Sequence, residues 1–92
     1  MKYQSKYGKE LENLILKTAK NSRLLHEFLI DLLSPGEYKE FAVRLQIVKM
    51  LGQNKSHRQI SKALKVGVAT ITRGVRELAN KNGGFAKILK KY

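Results

Sequence analysis

The sequence contains no cysteine, no long apolar run and only one acidic residue after position 46. The lack of cysteine excludes a disulfide framework and a thiolate metal site. Because no run of about 18 apolar residues occurs, no segment is expected to span a membrane. The N-terminal MKYQSKYGKE lacks the apolar stretch of a secretory signal. These absences predict a cytosolic protein, with residues 1–92 forming a single small domain.

Catalytic groups are equally scarce. The chain has two histidines, His26 and His57, which lie far apart, and its only aspartate is Asp31. No glycine-rich phosphate loop and no nucleophile motif are present. We therefore expect a protein that is not an enzyme and that holds no metal ion.

Positive charge is concentrated in the second half of the chain. Residues 1–46 carry eight basic and six acidic side chains, a net charge of +2, whereas residues 47–92 carry eleven basic side chains and one acidic side chain, Glu77, a net charge of +10. Such an asymmetry is typical of nucleic-acid-binding proteins, whose affinity comes largely from neutralising phosphates.

The basic half contains two short amphipathic segments separated by a tight corner. Ser56 and Gln59 predict a capping box at the start of the first helix. Ile60, Ala63 and Leu64 give its apolar stripe, the corner is Val66-Gly67-Val68, and a second stripe comprises Ile71, Val75, Leu78 and Ala79. Two short helices joined by a glycine-containing turn are typical of a helix-turn-helix. The second helix opens with small residues suited to approach base edges and continues with arginines that reach phosphates: Ala69, Thr70, Thr72, Arg73 and Arg76.

Two alternatives remain open at this point. The segment over residues 56–80 also fits an ordinary helical hairpin with a solvated basic face. A basic helical protein that coats DNA or RNA without sequence preference has the same charge pattern, and only discrimination between a specific site and random duplex separates it from a regulator.

Four further helices are predicted around this unit. Apolar spacing indicates helices from Lys9 to Ala19 and from Asn21 or Ser22 to about Leu33. Ser34-Pro35-Gly36-Glu37 predicts the start of a third helix that runs to about Gly52. A short final helix covers Phe85 to about Lys91. The fold class is therefore all-α, with six helices in total.

The third helix is apolar around most of its circumference. Phe41, Ala42, Leu45, Val48 and Leu51 form one face, and further apolar residues extend it. Such a helix must be buried on several sides, either by the rest of the chain or by a second copy of the protein.

The chain resembles the Trp repressor family of bacterial transcription regulators. The likeness is strongest in ATITRG, residues 69–74, and extends through LLSPGEYKEFAVRLQIVKML, residues 32–51. It implies an intertwined all-helical homodimer in which two recognition helices read a palindromic operator in successive major grooves. Within that likeness, Arg58, Val68, Ala69 and Thr72 match positions that face bases, whereas Lys62, Lys65 and Arg76 are assigned to phosphates from their charge and location.

The resemblance also implies L-tryptophan as a co-repressor. Arg44 matches the arginine that stacks on the indole, and Arg73 matches the arginine that pairs with the ligand carboxylate, two roles that suit a planar and permanently charged guanidinium. Thr70 falls near the ligand and a phosphate, and Ser34 lies in the loop whose backbone receives the ligand ammonium. Gly74 permits close backbone approach, for which either a ligand wall or a tight helix crossing is a sufficient reason.

Three positions depart from the family pattern. Glu77 replaces a small hydroxyl residue near the ligand ammonium, Lys65 replaces a left-handed glycine at the turn, and the loop before Ser56 is one residue shorter. The sequence thus predicts a dimeric DNA-binding repressor responsive to tryptophan. A relative that regulates DNA without tryptophan is the alternative.

Overall fold

The computed structural model describes residues 5–92, which form six α-helices and no strand. This arrangement confirms the predicted all-α fold class. The helices are α1 (Lys6–Thr18), α2 (Ser22–Leu32), α3 (Pro35–Gly52), α4 (His57–Leu64), α5 (Val68–Ala79) and α6 (Gly84–Lys91). The chain divides after Tyr38 into two compact units. Among the helices in the described range, none is both long enough and apolar enough to cross a bilayer.

The first unit contains α1 and α2, and side-chain oxygens cap both helices. Ser5 Oγ accepts from the Gly8 N–H at 2.9 Å, and Asn21 Oδ1 accepts from the Leu24 N–H at 3.0 Å. These bonds satisfy donors that a helix start leaves without partners. Neither helix contains a buried residue. Their leucines therefore leave much apolar surface exposed, including 48% of Leu24.

The start of α3 is the capping box predicted from Ser34 to Glu37. The Ser34 N–H donates to Glu37 Oε1 at 2.8 Å, and the Glu37 N–H donates to Ser34 Oγ at 3.2 Å. The pKa of Glu37 lies below its ordinary value, because the Ser34 backbone N–H and then the Ser34 side chain stabilise the charged carboxylate by hydrogen bonding. Sequence spacing alone was sufficient to predict this helix start.

The core of the second unit lies between α3, α4 and α5. Ile47 of α3, Ile60 of α4 and Ile71 of α5 are each at most 1% exposed and pack together, and Val48 is buried to the same degree. Leu51, Leu64 and Val66 are partly buried against this cluster.

Within one chain, some residues of the predicted apolar stripes are exposed. Ala63, Val75 and Ala79 are exposed, and the fully buried residues of α4 and α5 that pack with Ile47 of α3 are Ile60 and Ile71. Phe41 and Leu45 of α3 are 53% and 41% exposed, so neighbouring helices cover only part of that apolar helix. Val68 is the first residue of α5 and not part of the corner.

The connection between α4 and α5 is a tight turn through Lys65, Val66 and Gly67. Ser56 and Gln59 form the predicted capping box at the start of α4, with bonds of 2.8 and 3.1 Å. Lys65 ends α4 in the left-handed conformation, with φ 55° and ψ 47°. The Ser61 hydroxyl donates to the Val66 carbonyl at 2.8 Å and so fixes the turn to α4.

We expect Lys65→Gly to stabilise the protein by about 0.5–1 kcal/mol. The left-handed conformation costs an L-residue about 1–2 kcal/mol, which exceeds the extra chain entropy that glycine brings to the unfolded state, about 0.4–1 kcal/mol. Urea unfolding measures the difference. Lys62→Gly is the matched control, because that residue is an exposed lysine inside α4, where glycine costs about 1 kcal/mol relative to alanine. Loss of stability in both variants would contradict the assignment of strain to Lys65.

Candidate nucleic-acid interface

The two helices α4 and α5 turn one side towards the core and the other towards solvent. Ile60 and Ile71 are fully buried and fix the orientation of each helix against α3. The side chains predicted to contact DNA are all exposed, namely Arg58, Lys62, Lys65, Val68, Ala69, Thr70, Thr72, Arg73 and Arg76. Val68, an apolar residue at the start of α5, is 67% exposed. The fold thus leaves the whole predicted contact set accessible.

The arginines of this surface have no acidic partner in the described part of the chain. The ion pairs within residues 5–92 join Arg23 to Glu27 and Arg44 to Glu40, and neither involves α4 or α5. Arg58, Arg73 and Arg76 therefore keep their donors and charge available for an anion.

The start of α5 adds backbone donors to this positive surface. Its N-cap is Gly67, which has no side chain to accept a hydrogen bond from the first turn. The free N–H groups at a helix start and the helix dipole both favour negative charge. Val68 and Ala69, which follow the cap, are small enough to let another surface approach the backbone closely.

The residues of the predicted ligand site on α5 share one side of that helix. Thr70, Arg73, Gly74 and Glu77 follow the spacing of three, four and seven residues that places side chains above one another. Thr70, Arg73 and Glu77 are exposed, and Gly74 is half-buried. Arg73 and Glu77 offer opposite charges one turn apart, without an ion pair between them.

Gly74 marks a close crossing of α5 over α3. A Cβ atom at this position would lie 2.8 Å from Ile47 Cγ2 and 3.5 Å from Leu51 Cδ1. Such a distance is shorter than carbon atoms tolerate, and Ile47 is a buried, β-branched residue with little freedom to move. Of the two reasons considered for Gly74, the tight helix crossing is therefore present in the chain itself.

Arg44 of α3 is engaged by two residues of its own helix. Its Nη2 donates to Glu40 Oε1 at 2.6 Å, and its guanidinium carbon lies 5.7 Å from the centroid of the Phe41 ring. The Arg44 side chain remains 37% exposed. Glu40 and Phe41 were not among the predicted site residues, although the spacing of four residues between Glu40 and Arg44 favours an ion pair on a helix.

Ser34 belongs to the first unit, whereas the other predicted ligand residues belong to the second unit. Its hydroxyl accepts from Glu37, its N–H donates to the Glu37 carboxylate, and its carbonyl accepts from the Tyr38 N–H at 2.9 Å. The role of Ser34 towards a ligand remains a prediction, as do the roles of the other site residues.

Comparison with known proteins links this chain to a single group of regulators. Residues 9–92 match the family model described as Trp repressor protein. The chain is 39% identical over 75 residues to a Trp operon repressor homolog of Vibrio campbellii, an alignment covering 79% of this chain and 73% of that protein. A protein of the same description in Vibrio cholerae is 46% identical over 59 residues, covering 62% of this chain and 57% of the relative. One from Actinobacillus succinogenes is 38% identical over 76 residues, covering 82% and 75% respectively. No solved structure matches the chain.

Proposed function

Because this chain belongs to the Trp repressor family, a family of transcription regulators and not of enzymes, we propose that it represses transcription by binding a palindromic operator as a homodimer. We further propose that L-tryptophan is its co-repressor. Membership of this family makes the chain a Trp-repressor-like regulator. Operator binding, homodimer formation and tryptophan binding are proposed.

One observation carries the proposal for DNA: the lysines and arginines exposed on α4 and α5 form no ion pair with an acidic residue of the described chain, while Ile60 and Ile71 anchor the other side of these helices. A protruding helix about 10–12 Å wide fits the major groove. Small residues at the start of α5 allow the helix to approach the base edges. Arg58 has the planar fork that pairs with guanine O6 and N7, and the surrounding lysines and Arg76 suit phosphates.

Exposed apolar surface supports the homodimer. Ile30 and Leu32 of α2 are each 48% exposed, and Phe41 of α3 is 53% exposed. Apolar surface of this kind on neighbouring sequence segments favours burial against another protein surface. A second copy gives a two-fold symmetric pair, so that two α5 helices meet two half-sites about one helical turn apart.

In the proposed mechanism L-tryptophan binds between α3 and α5. Arg44 stacks on the indole, Arg73 pairs with the carboxylate, and Glu77 supplies a carboxylate for the ammonium. The ligand raises operator affinity only if it binds one orientation of α5 more tightly than the other orientations.

A regulator that binds its operator without tryptophan is the second candidate. The close crossing at Gly74 favours it, because a contact between α5 and α3 already accounts for the glycine without any ligand. In that case the packing of Ile47 against α5 holds the helix in its DNA-binding orientation.

Anisotropy titrations test the proposal directly. A site selected from random-sequence duplexes by the protein is compared with a scrambled duplex, each with and without L-tryptophan. We expect a preference of about 10³-fold or more for the selected site in the presence of ligand. The same preference without ligand supports the second candidate. Equal affinity for both duplexes contradicts sequence-specific repression and identifies a nucleic-acid-coating protein.

Replacement of Arg58 should relax sequence preference. We expect Arg58→Ala to weaken binding to the selected site about tenfold, roughly 1.4 kcal/mol, and to affect the scrambled duplex much less, because a guanine contact is lost. Arg76→Ala is the matched control: it removes a phosphate contact, so both duplexes should weaken alike. If Arg58→Ala also weakens the two duplexes equally, Arg58 binds phosphate and does not read a base.

A further inference from the structure

The strongest unassigned feature of the second unit is the arrangement of Glu40, Phe41 and Arg44 on α3. Glu40 and Arg44 lie one helical turn apart and are joined by a bond of 2.6 Å, which is short for a hydrogen bond from a cation to a carboxylate. Phe41 approaches the same guanidinium at 5.7 Å, within the distance at which a cation and a ring attract. Two neighbours therefore restrain a side chain that has many rotamers.

We propose that Glu40 is a positioning residue for ligand binding: it holds the Arg44 guanidinium by its edge so that a planar aromatic ligand can stack on the guanidinium face. The inference rests on the proposed function, because it concerns the same ligand site.

The hydrogen bond to Glu40 and a stacked ligand ring use different parts of the Arg44 guanidinium. Guanidinium N–H groups donate in the plane of the group, so the bond to Glu40 occupies an edge and leaves both faces geometrically available. The centroid of the Phe41 ring lies 5.7 Å from the guanidinium carbon, and the arginine side chain is still 37% exposed. A ligand ring can therefore stack on Arg44 without breaking its pair with Glu40.

Glu40 is expected to strengthen ligand binding because it restrains the Arg44 side chain before the ligand arrives. A free arginine loses rotamer entropy when a ligand fixes it, and that loss weakens binding. Glu40 reduces the loss because the pair already limits the side chain. The order along the helix also favours the pair, since a glutamate four residues before a cation suits the helix dipole.

The other ion pair of the described chain provides a control. Arg23 and Glu27 are also four residues apart, but they are separated by 3.9 Å, and the Arg23 side chain is 91% exposed. Their order along the helix is reversed, and within residues 5–92 no aromatic ring lies over the Arg23 guanidinium. Glu27→Gln therefore removes a pair of the same spacing on a helix, α2, that carries no proposed ligand residue.

The test is a fluorescence titration with L-tryptophan as the probe. Because the chain contains no tryptophan, the indole emission comes from the ligand alone when it is excited beyond the tyrosine absorption. We expect Glu40→Gln to raise the Kd about threefold, the size typical of losing an exposed ion pair, and to reduce the change in ligand emission on binding. Glu27→Gln should leave both quantities unchanged.

Salt supplies the readout that a merely structural role would not produce. The difference between wild type and Glu40→Gln should shrink at high ionic strength, because the pair is exposed and therefore screened. An equal or lower Kd in Glu40→Gln, or a threefold difference that persists at high salt, overturns the inference while leaving tryptophan binding intact. If the wild-type protein itself does not bind L-tryptophan, the co-repressor part of the proposed function fails instead.

Discussion

Ile71→Ala should destabilise the protein by about 3–4 kcal/mol, the largest effect we expect from a single substitution. Ile71 is fully buried and packs against Ile47 and Ile60, so truncation removes the contact that joins α5 to both α3 and α4. The loss combines the transfer free energy of three carbon atoms with the cost of the remaining cavity. Urea unfolding at one fixed protein concentration measures it, because the proposed dimer would make stability depend on concentration.

Two further variants provide reference values for the loss of stability in Ile71→Ala. Ile71→Val removes one methylene and should cost about 1 kcal/mol. Val68→Ala truncates an apolar residue of the same helix that is 67% exposed, and its effect on stability should be within about 0.5 kcal/mol. If Ile71→Ala proves as mild as Val68→Ala, the side of α5 assigned to the core is wrong, and so is the side assigned to DNA.

Gly74→Val should destabilise the protein by about 3 kcal/mol and displace α5 from α3. The first added carbon would lie 2.8 Å from Ile47 Cγ2, and the branches of valine would meet Leu51 and Val48, which lie 3.5 and 3.8 Å from that carbon. Since Ile47 and Val48 are each 1% exposed, the neighbours have little room to yield. Chemical unfolding measures the loss, and operator binding should weaken with it because α5 changes its orientation.

Two comparisons isolate the cause of that loss. Gly36→Val introduces the same side chain into α3, where an added Cβ atom would meet no other part of the protein within 4 Å beyond its own helical backbone. It should therefore change stability by less than about 1 kcal/mol. Ile47→Leu moves the branch away from the Cβ carbon and should reduce the cost of Gly74→Val, a coupling that a double-mutant cycle measures. Additive effects of the two substitutions would exclude Ile47 as the obstructing residue.

Local signals in the sequence were sufficient to predict the helix starts. The capping boxes at Ser34 and Ser56 each depend on residues three positions apart, so the chain immediately around them determines the structure. At Lys65 the resemblance implied a left-handed glycine that this chain lacks, and the structure shows that the lysine itself adopts that conformation.

Helical periodicity identified the buried residues of α4 and α5 but not how far burial extends. Ile60 and Ile71 belong to these stripes and are fully buried. Val75 and Ala79 belong to the same predicted stripe as Ile71 and are nevertheless exposed, since the extent of the contact depends on the crossing with α3, which involves residues distant in sequence. Exposure of Phe41 likewise follows from which helices cover α3, and spacing within α3 carries no information about that.

The candidate site shows the same division between local and distant determinants. Periodicity was enough to place Arg73, Gly74 and Glu77 on one side of α5. The pair between Glu40 and Arg44 was also accessible from spacing, because these are the only oppositely charged residues of α3 that lie three or four positions apart. The reason for Gly74 required a distance across two helices, and the sequence left a ligand wall and a helix crossing equally open.

Protection of guanine N7 from methylation tests the central claim most directly, because that atom lies in the major groove. The claim is that a homodimer places the start of α5 in two successive major grooves of its operator. On a duplex selected by the protein, with L-tryptophan present, we expect two protected clusters centred about 10 base pairs apart. A single cluster, uniform weak protection along the duplex or no protection would contradict the account.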